Sequence, residues 1–280
     1  MLKLHAIILA LNEEKFIRNC IDAIYPHCSK ISVITQYDRD WYGKLVTPDT
    51  TIQILLNFPD TEGKINIVIR RMPDEAAARN MEMLAFNHAS YQHTQSHGRS
   101  IDDIKSFHQP PDYFWIIDAD EIYDSSTLPA ILNFLQKKRP RGMRVTGYNY
   151  LRTWNHRVPR SVIDFTHFGF IRPGVLFEQR RVVSWNESRL QKLFKLLHLP
   201  DWSSKFYGFI TCPENIGVFH HACWIGDNER LAHKFDKSSH RESQEWAPDS
   251  VDLITSIHVP TKELPINIQS GNWPSHFFDE

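Results

Sequence analysis

The apolar run Tyr113-Phe114-Trp115-Ile116-Ile117 leads directly into Asp118-Ala119-Asp120-Glu121. A short run of aromatic and β-branched residues predicts a buried strand, and this one delivers carboxylates to its C-terminal edge. In open α/β sheets ligands bind beyond that edge, where paired aspartates can hold a hard divalent cation against a diphosphate. The combination points to nucleotide-sugar chemistry, with a polar turn leaving a strand as the plainer alternative.

Other chemistry-bearing residues lie far away in sequence. His220 and His221 are adjacent, so on a strand they face opposite sides and one of them can reach a given ion. Arg79 can bind phosphate oxygens bidentately and Lys234 can supply a point charge, although both types also serve as ordinary helix-surface cations. His88, His93, His97 and His108 fall in a polar stretch from about 88 to 109, and their irregular spacing predicts solvated side chains in an exposed insertion rather than a metal site.

The elements that must position these groups follow from periodicity. Leu4 to Leu11 reads as a buried strand; Ile17, Cys20, Ile21 and Ile24 then recur at helical spacing until Pro26. Glu13 and Glu14 are expected in the first turn of that helix, where its partial positive charge favours carboxylates. Ile31 to Thr35 predicts the second strand, Ile65 to Ile69 the third, and Asp74 through Ala89 a helix carrying Ala76-Ala77-Ala78. The fourth strand ends in Asp118. Strands alternating with helices predict a mostly parallel sheet with a crevice at its carboxyl edge. Beyond Arg141 the pattern changes to irregular strands and aromatic-rich loops, including Met143 to Tyr150, Val175 to Phe177 and Arg181 to Trp185. The pattern divides the domain into a half at 1–140 and an irregular, acceptor-facing half at 141–280.

Composition narrows the partners. The 280 residues are 41% hydrophobic and 23% charged, enough for a large core, and a formal net charge of -1 gives no broad basic field for nucleic acid. Cys20, Cys28, Cys212 and Cys223 form no CxxC pair and are sparse for a disulfide scaffold, which fits a reducing, cytoplasmic setting. The opening apolar stretch has no basic flank or small-residue cleavage site and reads as a strand. No apolar run reaches the roughly 20 residues of a membrane span, which leaves peripheral membrane contact open.

Several short motifs, in order, resemble the GT-A glycosyltransferases, especially the family 2 group and the bisecting-type N-acetylglucosaminyltransferase group. Ala10-Leu11-Asn12-Glu13-Glu14 resembles the family 2 opening element, and Ala78-Arg79-Asn80 its Ala-Arg-Asn. Asp118-Ala119-Asp120-Glu121-Ile122 is similar to the metal-binding motif of the second group. His221-Ala222-Cys223-Trp224 resembles that group's late His-Cys-Ser-Trp, with Lys234 and His240-Arg241-Glu242 where its downstream residues lie. The resemblance implies a GT-A fold and a Mn²⁺ or Mg²⁺ ion held by Asp120 and His221, with Asp118 on the ribose or the ion's water shell. It implies that the half at 1–140 binds the donor and that the half at 141–280 binds the acceptor and completes the metal site. It also implies a nucleotide-sugar donor contacted by Ala10, Leu11, Asn12, Glu13, Asp118, Ala119, Arg79 and Lys234. Gln36 or Asp38 would read the base and Tyr37 supply a stacking face. UDP-xylose, UDP-glucose and UDP-N-acetylglucosamine lie within the family's donor range, and a glycan or glycoprotein hydroxyl is the implied acceptor.

An inverting transfer needs a base to remove the acceptor hydroxyl's proton. Trp185-Asn186-Glu187 stands where related enzymes carry a Glu, so Glu187 is the candidate, with Asp164, Glu178 and Asp227 as rivals. Of the eight tryptophans, Trp154 or Trp224 is expected to line an acceptor groove. Two other readings remain: a carbohydrate-binding protein of the same fold without catalysis, and a metal-dependent sugar phosphohydrolase using Asp118, Asp120, His220 and His221.

Overall fold

The computed structural model describes residues 2–41, 43–92, 110–161, 163, 165–179, 181–183, 208–231 and 256–278. Strand β1 (Leu4–Leu9) is buried along its whole length, and its alternate side chains feed two different cores. Leu4, Ala6 and Ile8 enter one with Trp115 and Ile117; Ile7 and Leu9 enter the other with Phe114 and Ile116. A strand covered on both faces needs helices on both sides. On the first face lies α1 (Ile17–Ile24), which buries Ile17, Cys20, Ile21 and Ile24 as its spacing predicts.

The chain continues through β2 (Lys30–Thr35), α2 (Thr51–Leu56), β3 (Ile65–Ile69) and α3 (Glu75–Gln92) to β4 (Tyr113–Asp118). These strands lie in the order β3-β2-β1-β4, all parallel, with Leu9 opposite Asp118. Ala76, Ala78 and Met83 of α3 join the second core. After the short β5 (Glu121–Tyr123), α4 (Leu128–Lys138) buries Leu128, Ile131 and Leu135 in the first.

The second half extends the same sheet. β6 (Gly142–Arg152), β7 (His156–Arg157) and β8 (Phe165–Ile171) follow, with β8 antiparallel to both β4 and β6. β9 (Phe177–Gln179) and β10 (Val182–Val183) form a separate hairpin. β11 (Phe209–Thr211) and β12 (Phe219–Ile225) pair in parallel with β6, and β12 is also antiparallel to β5. β13 (Ile257–His258) pairs with β7, and α5 (Ile266–Gln269) packs Ile268 into the first core. The expected class stands: an α/β fold with a mostly parallel sheet core flanked by helices.

Three expectations need correction. Glu13 and Glu14 precede α1 instead of opening it, because Asn12 takes a left-handed φ of 55° and turns the chain away from helix. Its side chain accepts from the Asp49 N–H and donates to the Thr47 carbonyl, while the Glu14 carboxylate accepts from Thr50. The loop before α2 is thereby tied to the end of β1. The helix expected to end near Ala89 runs to Gln92, within the polar stretch read as an insertion. Trp154 is fully buried against Tyr150 and Trp273, so it is core and lines no groove. Among the described residues no helix is long and apolar enough to cross a membrane.

Candidate active site

The carboxylates after β4 divide into two unlike groups. Asp118 ends the strand, and each of its oxygens meets a guanidinium: Arg79 Nη2 lies 2.7 Å from Oδ1 and Arg181 Nη2 lies 3.2 Å from Oδ2. Arg181 also reaches Glu121, Nη1 to Oε1 at 2.8 Å, and Glu75 reaches Arg79 from one turn earlier on α3 at 3.3 Å. Glu121 is fully buried and its second oxygen accepts the Asp118 N–H at 3.2 Å. Burial works against the ionised form of Asp118, but Arg181 and Arg79 overcome it and hold the carboxyl down to about 2. In Glu121 burial prevails and pushes the carboxyl up despite Arg181. The same two carboxylates raise Arg181 against its own desolvation.

Asp120 has a different environment. It sits in the turn between β4 and β5, 4% exposed, and its carbonyl accepts the Ala222 N–H at 2.9 Å. That bond, with the pairing of β12 against β5, brings His221 opposite Glu121 and sets its Nε2 3.5 Å from Asp120 Oδ1. On the other side of β12 the register places His221 beside Asn149 of β6, whose Oδ1 is 2.7 Å from His221 Nδ1. Phe165 of β8 stacks on the imidazole, ring centroids 4.3 Å apart and planes 7° from parallel. Gly147 permits this, since a Cβ there would lie 2.6 Å from Phe165 and 2.5 Å from Phe219.

His220 points the other way, to a 2.7 Å hydrogen bond between Nδ1 and the Tyr150 hydroxyl, and burial lowers it to about 4. Of the adjacent pair, His221 is the one brought to Asp120. His167, which no sequence signal marked, packs edge-on against Phe165 at 4.1 Å and is lowered to about 3 by burial and by the nearby Arg181.

Several of the remaining predicted contacts follow the ends of β1, β2 and β4, and others do not. Ala10 and Ala119 are buried, their N–H groups donating to Ile34 and Leu9. Leu11 packs partly against the second core, and Glu13 lies 3.5 Å from Arg230. Gln36 is buried, with Oε1 accepting the Met72 N–H at 3.1 Å. Asp38 and Tyr37 are exposed at the end of β2. Arg79, expected at the diphosphate, is 1% exposed and is spent on Asp118 and Glu75. Of the candidate bases, Glu178 is exposed on β9. Asp227 accepts the Arg230 N–H, the chief reason its carboxyl is lowered. Glu187, Asp164, Lys234 and His240-Arg241-Glu242 lie outside the described residues. Trp224 is half-buried against Leu151, Val158 and Leu231. Arg181 is the central residue that sequence reasoning missed; it was visible there only as the start of a strand.

Among the described residues no three His, Cys, Asp or Glu side chains group closely enough to form a metal cage. What the edge offers is one carboxylate and one imidazole nitrogen facing each other. Asp120 and His221 would be the residues to hold a Mn²⁺ or Mg²⁺ ion here, and such an ion would need phosphate oxygens and water to complete its shell.

No protein-family model matches the chain, and no curated protein matches it. Solved structures with a similar arrangement include residues 1–349 of S. aureus TarS in complex with UDP-GlcNAc, at 13% identity and a TM-score of 0.41, covering 89% of this chain and 70% of that one. A 4-diphosphocytidyl-2C-methyl-D-erythritol synthase is similar at 11% identity and 0.38, covering 78% of this chain and 92% of its own. Glucosyl-3-phosphoglycerate synthase from Mycobacterium tuberculosis, in complex with Mn²⁺, UDP and glucosyl-3-phosphoglycerate, is similar at 16% identity and 0.32, over 53% of this chain and 44% of that one. Likenesses of this strength identify neither a family nor an activity.

Proposed function

We propose that the chain is a GT-A-type glycosyltransferase, related to the family 2 and bisecting-type groups, that transfers a sugar with inversion from a UDP-sugar to a glycan hydroxyl with a divalent cation. The observation that carries this reading is the meeting of Asp120 and His221, brought from distant parts of the chain to the carboxyl edge of a parallel sheet. A cation bound there would neutralise charge developing on the leaving diphosphate. Asp120 and His221 would hold it. Asp118, fixed by its two arginines, presents a rigid charged rim at the end of β4 and orients the turn that carries Asp120.

The chain's own part in the reaction is to bind and orient the donor at this edge and to take the acceptor proton. Ala10 to Glu13 border it from β1, and Gln36 and Asp38 from β2, where they would meet ribose and base. Glu187 is the proposed base, and Lys234 a diphosphate contact. Calorimetric titration with UDP and UDP-sugars, in Mn²⁺ and then in EDTA, tests the donor and metal assignments together. Metal-dependent uridine-nucleotide binding is the expected result; sugar binding indifferent to EDTA would favour the non-catalytic lectin-like alternative. Glu187→Gln should leave donor affinity nearly unchanged while slowing transfer by roughly 10²-fold, and unchanged turnover would move the base to Asp164, Glu178 or Asp227.

A further inference from the structure

We propose that Asn149 is a positioning residue that selects the tautomer of His221, so that Nε2 carries the lone pair where it faces Asp120. The inference deepens the metal-site reading above and rests on it for its consequence, though not for its geometry. Neighbouring registers bring the parts together: His221 is the pairing partner of Asn149 across β12 and β6, so both side chains emerge on one face. The 2.7 Å contact joins His221 Nδ1 to the amide oxygen of Asn149, which accepts and cannot donate. The proton of the neutral ring therefore belongs on Nδ1.

That leaves Nε2 as an acceptor 3.5 Å from a carboxylate oxygen, another acceptor. A divalent cation held there would take an electron pair from each of them. Asn149 is 4% exposed and the ring plane is fixed by the parallel face of Phe165, so neither partner turns freely. The pair is an amide counterpart of the carboxylate or carbonyl that commonly holds the second nitrogen of a metal-binding histidine.

The test compares wild type with Asn149→Asp, which keeps an acceptor oxygen, and Asn149→Leu, which keeps the branched shape and removes it. Two-bond ¹⁵N–¹H correlation on histidine-labelled protein without metal, near pH 8 where an ordinary imidazole is neutral, reports the tautomer directly. The His221 signals are assigned by their loss in His221→Asn. Wild type and Asn149→Asp should show Nδ1 protonated and Nε2 bare, and Asn149→Leu should lose that pattern. In titrations of UDP with Mn²⁺, Asn149→Leu should weaken metal-dependent binding by about 10- to 100-fold, and Asn149→Asp should stay within a few fold. Binding in EDTA should be equal in all three, a split that general misfolding would not produce.

A wild-type His221 protonated at Nε2 overturns the proposal, as does Asn149→Leu with undiminished Mn²⁺ dependence. If wild type shows no Mn²⁺-dependent UDP binding, the functional reading fails, and the wild-type tautomer alone then decides the inference. Should Asn149→Leu not fold, the wild-type and Asn149→Asp spectra still decide it.

Discussion

Asp118 and Asp120 stand two residues apart and belong to different machines. Asp118 is enclosed by Arg79 and Arg181, with Glu75 and Glu121 completing an alternation of charge that ties α3, β4, β5 and the β9–β10 hairpin together. Asp120 faces an imidazole held from behind by a neutral amide. The first arrangement stabilises its carboxylate with two guanidiniums; the second sets a carboxylate beside an imidazole nitrogen, the pair to which the proposed cation would bind. An aspartate pair in sequence is thus two carboxylates with unlike partners in space, one between guanidiniums and one beside an imidazole.

Removing the brace should cost most. Arg181→Met would leave Glu121 buried without its guanidinium and Asp118 with Arg79 alone, and breaking a buried ion pair on one side costs about 3–5 kcal/mol. Urea denaturation should show that loss as a lower midpoint with the slope unchanged. A loss under about 1 kcal/mol would mean that the cluster relaxes on its own and that the contrast with Asp120 is overdrawn.

Acid should separate the two groups in order. His5 and His220 are lowered chiefly by burial, to about 3 and about 4, so the unfolded chain binds their protons first. Stability is then full above about pH 6.5 and falls as pH drops below it, by about 1.4 kcal/mol per pH unit for each histidine. Asp118 has the opposite character: its lowered carboxyl contributes above the ordinary aspartate value, and that contribution disappears as pH falls from about 4 toward 2. Urea midpoints across pH 8 to 3 should decline from 6.5 downward; a plateau to pH 4.5 would contradict the buried neutral histidines.

Gly147→Ala tests the packing behind the second group. The added methyl must displace Phe165 or Phe219, at about 1–3 kcal/mol, and if Phe165 moves, Mn²⁺-dependent UDP binding should weaken with it. Unchanged thermal stability would show that the rings have room to shift. Asp120→Ala should leave the fold intact and have the smallest effect on stability, while making UDP affinity in Mn²⁺ equal to that in EDTA. Retained metal dependence in this variant would return the ligand role to Asp118.

Much of the first half was legible because β1, β2 and β4 are buried on both faces and α1 keeps a 3.6-residue period. β3 begins and ends where the apolar run does, and β4 ends on Asp118. Asn12 was less readable: the following glutamates carry a helix-start signal, but the loop at Thr47 to Thr50 competes for them and prevails. The site's second layer was hidden for the same reason. Nothing near Arg181 in the sequence indicates that its partners are Asp118 and Glu121, and Asn149 acquires its role from a register between two strands. His221 was legible through motif resemblance; the amide behind it was not.

The Arg181 brace also bears on how the protein is made. During synthesis residues 1–140 emerge with the parallel strands complete, yet Glu121 has no guanidinium until Arg181 follows, and β5 has no β12 beside it until residue 225. At the usual 5–20 residues per second, that delay lasts about 4–17 s. Over that interval the gaps close in turn: β8 covers the edge beside β4, Arg181 then matches Glu121, and β5 stays without its partner until β12 has emerged, so the second half completes the first in chain order.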